Sequence, residues 1–121
     1  DILPGNGVDV ILEDPYNFPI VSNTFDIVVS QETFEHADMF WLTFLEMMRV
    51  LKPGGIGYIT VPRGGDWHYG PRDSWRFRQN ASLSLERWAH RSGQTDVRAS
   101  PVPEDVFQKW GVMRFDKQKT W

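Results

Sequence analysis

Between Asp38 and Pro62 the chain spells a helix that has to stop and a strand that has to follow, and this unit constrains the fold more than any other feature. Apolar residues stand at Trp41, Phe44, Leu45, Met48 and Leu51, the i, i+3, i+4, i+7 spacing that gives a helix one apolar stripe. Asp38 occupies the place of an N-cap. Lys52-Pro53-Gly54-Gly55 then ends the helix: the lysine complements the negative end of the dipole, proline has no amide for the ladder, and glycine supplies a positive φ. Residues 56–62 follow as a β-branched strand closed by Pro62 and by Gly64-Gly65. Upstream, Phe25-Asp26-Ile27-Val28-Val29-Ser30 has four apolar positions, three of them contiguous, which predicts a strand buried on both faces. Strand, helix and strand joined by a short turn imply a right-handed crossover in a parallel sheet, the signature of an α/β domain.

The remaining segments add smaller pieces. Val8-Asp9-Val10-Ile11-Leu12, set between Gly5-Asn6-Gly7 and Glu13-Asp14-Pro15, predicts a further strand. Residues 63–80 are polar and aromatic without a period, and a stretch of that length in a compact domain reads as an active-site loop. Helical spacing returns from Ala81 to Arg91 through Leu85, Trp88 and Ala89, with Asn80 as the cap and Gly93 as the stop. Residues 95–100 and 112–115 read as strands, with Pro101 and Pro103 as interruptions. Internal repeats, low-complexity tracts and linkers are lacking, so residues 1–121 read as a single domain.

Composition narrows the function classes. Without cysteine there is no disulfide, thiolate zinc site or cysteine nucleophile, and no metal-ligating set is assigned. Thirteen basic against sixteen acidic residues leave a net charge of -3, the reverse of the basic footprint that nucleic acid requires. Apolar runs last only a few residues, against the roughly 20 that cross a bilayer, and the opening Asp1-Ile2-Leu3-Pro4-Gly5 has no basic leader region. A soluble, cytoplasmic protein without nucleic-acid or membrane partners is the expectation. Six tryptophans and 14% aromatic residues serve either an aromatic core or an aromatic-lined pocket.

Three pieces now stand in a specific order: Asp14 followed by Phe18-Pro19; the run from Phe25 to Ser30 leading to Phe34-Glu35-His36; and Met48-Arg49-Val50-Leu51-Lys52-Pro53-Gly54-Gly55 leading into Ile59-Thr60-Val61-Pro62. Over residues 14–62 they resemble the class I, Rossmann-like S-adenosylmethionine-dependent methyltransferases, in the group of small single-domain enzymes. The resemblance implies an α/β fold with a mostly parallel sheet and helices on both faces, of which this chain carries the carboxyl-terminal two-thirds. In the family a first strand and a glycine-rich loop precede an acid that Asp1 matches in position. Here Gly5-Asn6-Gly7 follow that acid and read as a plain turn. The absent strand belongs between the partners of residues 8–12 and 25–30, so the sheet is expected to have a gap, which a second copy closes to give a homodimer.

S-adenosylmethionine is the implied cofactor. Its leaving group is a neutral thioether, so positioning carries most of the rate, and candidate residues are those at the carboxyl ends of the strands. Asp14 matches the family acid that accepts from the adenine amino group, or is a turn aspartate before proline; Pro15 departs from the pattern, having no N–H to offer the ring. Asp1 holds the ribose hydroxyls, or frays. Ser30 and Gln31 line the methionine and methyl group, or are ordinary strand-end residues. Glu35-His36 invites a general-base reading, but in the family the pair opens the following helix, with Glu35 serving the dipole and His36 packing on the loop.

The loop from Trp67 to Phe77 resembles the His-x-x-Pro-x-Asp-x-x-Arg segment that lies over the site in some relatives. His68 is then the acceptor-side base, and Tyr69, Arg72 and Arg76 bind the acceptor, the arginines gripping carboxylate or phosphate. The other reading is a lid held by an Asp73–Arg76 pair. The implied function is methyl transfer to a small-molecule or glycan oxygen or nitrogen, with this fragment itself inactive. The alternative is a non-catalytic fragment or interaction module that has lost the cofactor. A nicotinamide oxidoreductase also uses an acid after its second strand but leaves the Leu51-to-Gly55 turn unexplained.

Overall fold

The helix expected on the Trp41-to-Leu51 stripe forms as α1, Phe40–Val50, burying Phe44, Met47 and Met48. It belongs to a computed structural model that describes residues 7, 10, 12–63 and 74–119. Asp38 does not cap α1. Met39 takes the cap position without a side-chain bond, and its amide donates instead to Tyr16 Oη at 3.3 Å. Leu51 is already extended (φ -79°, ψ 133°), so strand β2, Leu51–Thr60, starts within the expected stop signal and includes the Lys52-Pro53-Gly54-Gly55 turn.

Strand β1, Phe25–Gln31, pairs parallel with β2, Ile27 opposite Ile56 and Val29 opposite Tyr58, as the strand, helix, strand pattern requires. Beyond β2 come helix α2, Ala81–Arg91, strand β3, Val97–Ser100, helix α3, Glu104–Trp110, and strand β4, Val112–Lys117. Asn80 holds the cap position of α2 without a side-chain bond. The sheet order is β1-β2-β4-β3, with β4 antiparallel to both neighbours. The α/β class and the mostly parallel sheet both stand among the described strands: β1, β2 and β3 run one way, and β4 alone is reversed. The cause is α3: a helix of seven residues turns the chain straight back, and an antiparallel return needs no long crossover. The sequence hid α3 behind Pro101 and Pro103. Pro103 sits at its N-cap, where a missing amide costs the helix nothing.

The register sorts the sheet into two unlike faces. Val28, Gly57, Ile59, Met113, Phe115, Val97 and Ala99 alternate onto one of them. There the apolar members join Phe34, Phe44, Met48, Leu85, Ala89 and Phe107 in one core cluster. The other face carries Phe25, Ile27 and Val29, then Ile56 and Tyr58, then Arg114 and Asp116. Phe25, Ile27 and Val29 are 41%, 60% and 60% exposed, so β1 is not buried on both faces as its composition predicted. Among the described residues, the buried side chains of all three helices serve the first face alone.

The expected strand at residues 8–12 is not formed where the structure describes it: Val10 lies in a bend and Leu12 in no regular element. No gap interrupts the four described strands, which are bonded in one continuous order. Among the described residues, β1 is an edge of the sheet.

Two contacts lock the sheet to its helices. Gly111 ends α3 with a left-handed φ of 62°, and its carbonyl accepts the Val61 amide at 2.9 Å. Lys117 is 8% exposed; its ammonium donates to Met48 O (3.1 Å) and Leu51 O (2.9 Å) at the end of α1, and to Asn23 Oδ1 at 2.8 Å.

Candidate cofactor and acceptor site

Residues 12–24 have no regular structure of their own and are held by side chains of α1. Thr43, Glu46 and Arg49, three residues apart on one edge of the helix, reach them in turn. Thr43 Oγ1 donates to Pro15 O at 3.0 Å, and the Phe18 amide donates to Glu46 Oε1 at 2.7 Å. Arg49 donates to Glu46 Oε2 (2.7 Å) and Oε1 (3.0 Å), Phe18 O (3.1 Å), Ile20 O (2.8 Å) and Ser22 Oγ (3.1 Å). All five guanidinium N–H groups are thereby engaged.

The Arg49 hydrogen bond, aided by the Phe18 amide and the Arg49 charge and opposed by burial, holds the Glu46 carboxyl below its ordinary 4.5. A depressed carboxyl contributes stability that is complete above its unfolded value and lost as pH falls through the folded one. Denaturant midpoints of the wild type and Glu46→Gln are therefore expected to differ at pH 7 and to converge as the pH drops below 4.5. A gap that stays constant down to acid would remove the ion pair as its source.

Asp14 starts this segment. Its Oδ1 accepts the Tyr16 amide at 2.8 Å and its carbonyl the Asn17 amide at 3.2 Å, an Asx turn that leaves the carboxylate exposed. Tyr16 Oη accepts the Met39 amide, which ties the turn to the start of α1. Ser30 and Gln31 end β1 opposite Ile59 and Thr60. The Glu32 amide donates to Thr60 O at 2.9 Å, so the chain leaves the sheet at the carboxyl end of the parallel pair.

Glu35 and His36 then lie in a 3-10 turn, Phe34–His36. The pair does not open α1, as the resemblance had implied, because residues 37–39 intervene. Glu35 is 1% exposed. Its Oε2 is 3.9 Å from His36 Nε2, and its Oε1 has no hydrogen-bond partner. Glu35 was singled out in the sequence for the helix dipole, but its burial was not foreseen.

The segment that follows residue 73 is strapped onto this turn. The Ser74 amide donates to Glu35 O (2.7 Å) and the Phe77 amide to Pro62 O (2.9 Å), while Trp75 Nε1 donates to Ala37 O at 2.9 Å. Phe40 lies edge-on to Trp41, Trp75 and Phe77, with ring centroids 4.9–5.3 Å apart. Edge-to-face contacts of this kind add to the burial of the rings. Part of the aromatic content is thus an anchor for the strap. Arg76, half-buried, donates Nη1 to Trp75 O at 2.8 Å. The Asp14 turn, through Tyr16, and the strap, through Trp75, thus both reach residues 37–39, which follow the end of β1. Asp1, His68, Tyr69 and Arg72 lie outside the described residues. Among the described residues no group of three or more acidic or histidine side chains is placed to hold a metal ion, and no helix is long and apolar enough to cross a membrane.

Residues 2–59 match the family model of the methyltransferase domain. Over that part the chain is similar to the methyltransferase domain family. No curated protein matches its sequence, but solved structures share the methyltransferase fold. The chain described as a methyltransferase with the Trm112 activator of Haloferax volcanii superposes with a TM-score of 0.60 at 17% identity, over 88% of this chain and 60% of that one. A protein of Methanococcus maripaludis assigned as an S-adenosyl-L-methionine-dependent methyltransferase gives 0.58 at 20% identity, over 92% and 55%. The cyclase SpnF gives 0.54 at 16% identity, over 90% and 56%. This chain therefore spans 55–60% of the length of these relatives, and the cyclase among them shows the fold carrying other chemistry.

Proposed function

We propose that the protein to which this chain belongs is an S-adenosylmethionine-dependent methyltransferase acting on an oxygen or nitrogen of a small-molecule or glycan acceptor. The observation that carries the reading is the convergence of the Asp14 turn, the end of β1 and the strap on one stretch, residues 31–39, at the carboxyl end of a parallel pair. Open α/β sheets bind their ligands at that place. The donor set fits the cofactor: Asp14 offers an exposed carboxylate to the adenine amino group, and Ser30 and Gln31 offer polar side chains to the methionine end. Pro15 gives the adenine no amide, and its carbonyl is already used by Thr43. Asp1 is the candidate for the ribose hydroxyls. S-adenosylmethionine supplies the activated methyl group; the residues' part is to hold the two substrates in line. On the acceptor side, His68 takes the proton, and Tyr69, Arg72 and Arg76 bind the acceptor's polar groups.

S-adenosylhomocysteine titrated into the full-length protein is expected to release or absorb heat and raise the melting temperature. Asp14→Ala should weaken that binding by about fivefold, the worth of one hydrogen bond of about 1 kcal/mol. No heat and no melting shift at millimolar ligand would reject the cofactor, and an unchanged affinity in the variant would remove Asp14.

A second reading, an interaction module without catalysis, is favoured by β1, which is an edge among the described strands and leaves Phe25, Ile27 and Val29 exposed. Unpaired edges and apolar patches recruit partners. A second copy pairing β1 to β1 across a two-fold axis would give a homodimer. Light scattering of the 121-residue chain at micromolar concentration is expected to return the dimer mass; a monomer with a cooperative melt would refute the pairing.

A further inference from the structure

Residues 15–24 contain neither helix nor strand, so nothing within them fixes where they run. Their positions come from α1: Thr43 holds Pro15, Glu46 holds Phe18, and Arg49 holds Phe18, Ile20 and Ser22. The Asn23 and Thr24 amides then donate to Arg49 O (3.0 Å) and Val50 O (2.8 Å), and β1 begins at Phe25. These contacts form a polar ladder along one helix edge, with the Asp14 turn at its far end.

We infer that Thr43, Glu46 and Arg49 are positioning residues, which set where the Asp14 carboxylate stands by laying residues 15–24 along α1 and so govern cofactor affinity without touching the cofactor. This rests on the assignment of Asp14 to the cofactor made above. Arg49 is the central rung, because its planar fork serves five acceptor positions at once, a pattern that a lysine ammonium does not reproduce. Glu46 orients that fork through two of the five bonds. Thr43 fixes the rung nearest Asp14.

The test combines S-adenosylhomocysteine affinity with amide hydrogen exchange, in the full-length protein. Arg49→Ala is expected to speed exchange of the amides of residues 16–24 and to raise the Kd by about tenfold, the order expected when hydrogen bonds to a charged group are lost. Arg49→Lys should restore only part of the affinity. Asp14→Ala added to Arg49→Ala should cost little further, since groups acting through one another are not additive. If Arg49→Ala fails to fold, Thr43→Val, which keeps the side-chain shape and removes one rung, takes its place with an expected loss of about threefold.

Faster exchange with an unchanged Kd would overturn the inference, leaving the ladder as packing alone. Full additivity with Asp14→Ala would overturn it too, by showing that Arg49 acts on something else. If the unsubstituted protein binds no ligand, the proposed function falls and the inference with it. An intact wild-type affinity matched by Arg49→Ala overturns the inference alone.

Discussion

Gly111→Ala is expected to lower the free energy of unfolding by about 2–5 kcal/mol, from a left-handed backbone cost of about 1–2 and an overpacking cost of about 1–3. The first arises because φ is 62° there. The second arises because an added Cβ would lie 2.0 Å from Val61 O and 2.7 Å from Arg63 Cδ. A side chain tip yields to such a clash, but a backbone carbonyl does not. The Val61 amide also donates to Gly111 O, so moving either chain breaks the join between the exit of β2 and the entry of β4. Gly93→Ala is the matched control: φ is 96° and nothing lies within 4 Å, leaving only the backbone cost of about 1–2 kcal/mol. Equilibrium denaturation of both variants decides the matter. Equal losses would mean that the carbonyl is not in the way.

Lys117→Met is expected to cost about 2–3 kcal/mol, because it takes the ammonium away from the buried Met48 and Leu51 carbonyls. Methionine keeps the length and fills the same channel, so the loss would not come from a cavity. Two effects oppose each other. Burial pushes the Lys117 ammonium below its ordinary value, so its removal relieves a desolvation cost. Against that, Leu51 O loses a buried donor and Met48 O keeps only the Leu51 amide, while the exposed Asn23 Oδ1 turns to water. Because the two carbonyls stay buried, the loss outweighs the relief. The variant should also exchange faster at the last turn of α1, and a stability within about 0.5 kcal/mol of the wild type would contradict the account.

Where one residue type in one period decided an element, the sequence was legible. The stripe of α1, the β-branched runs of β1 and β2 and the spacing of α2 all reappear in the structure. Strand β4 extends two residues past the predicted run, to Lys117. Exposure was not legible, because an apolar strand reads the same whether or not a layer covers its second face; Ile27 and Val29 looked buried and are not. The pairing direction of β3 and β4 was equally hidden, since it depends on how sharply α3 turns back. On the site side, Asp14, Ser30 and Gln31 were reached through the family pattern alone. Thr43, Glu46 and Arg49 were passed over, because a helical period counts the apolar stripe and is silent on the edge beside it. Arg49 meets Ile20 across 29 residues, a separation that no local window spans. The burial of Glu35 escaped for a related reason: nothing in its neighbours says that a short turn will be roofed by Trp75 and Phe77.

The strand that occupies the middle of the sheet is the last of the described strands to be synthesised. Until residues 112–117 leave the ribosome, β2 has one vacant flank, β3 has no neighbour at all, and α1 lacks the lysine that closes its final turn. With synthesis halted anywhere before Val112, β3 would therefore have no described strand to bond, and the apolar face that Met113 and Phe115 complete would stay open, a state of the kind that chaperones bind. The closing of this part of the sheet waits on the arrival of one segment.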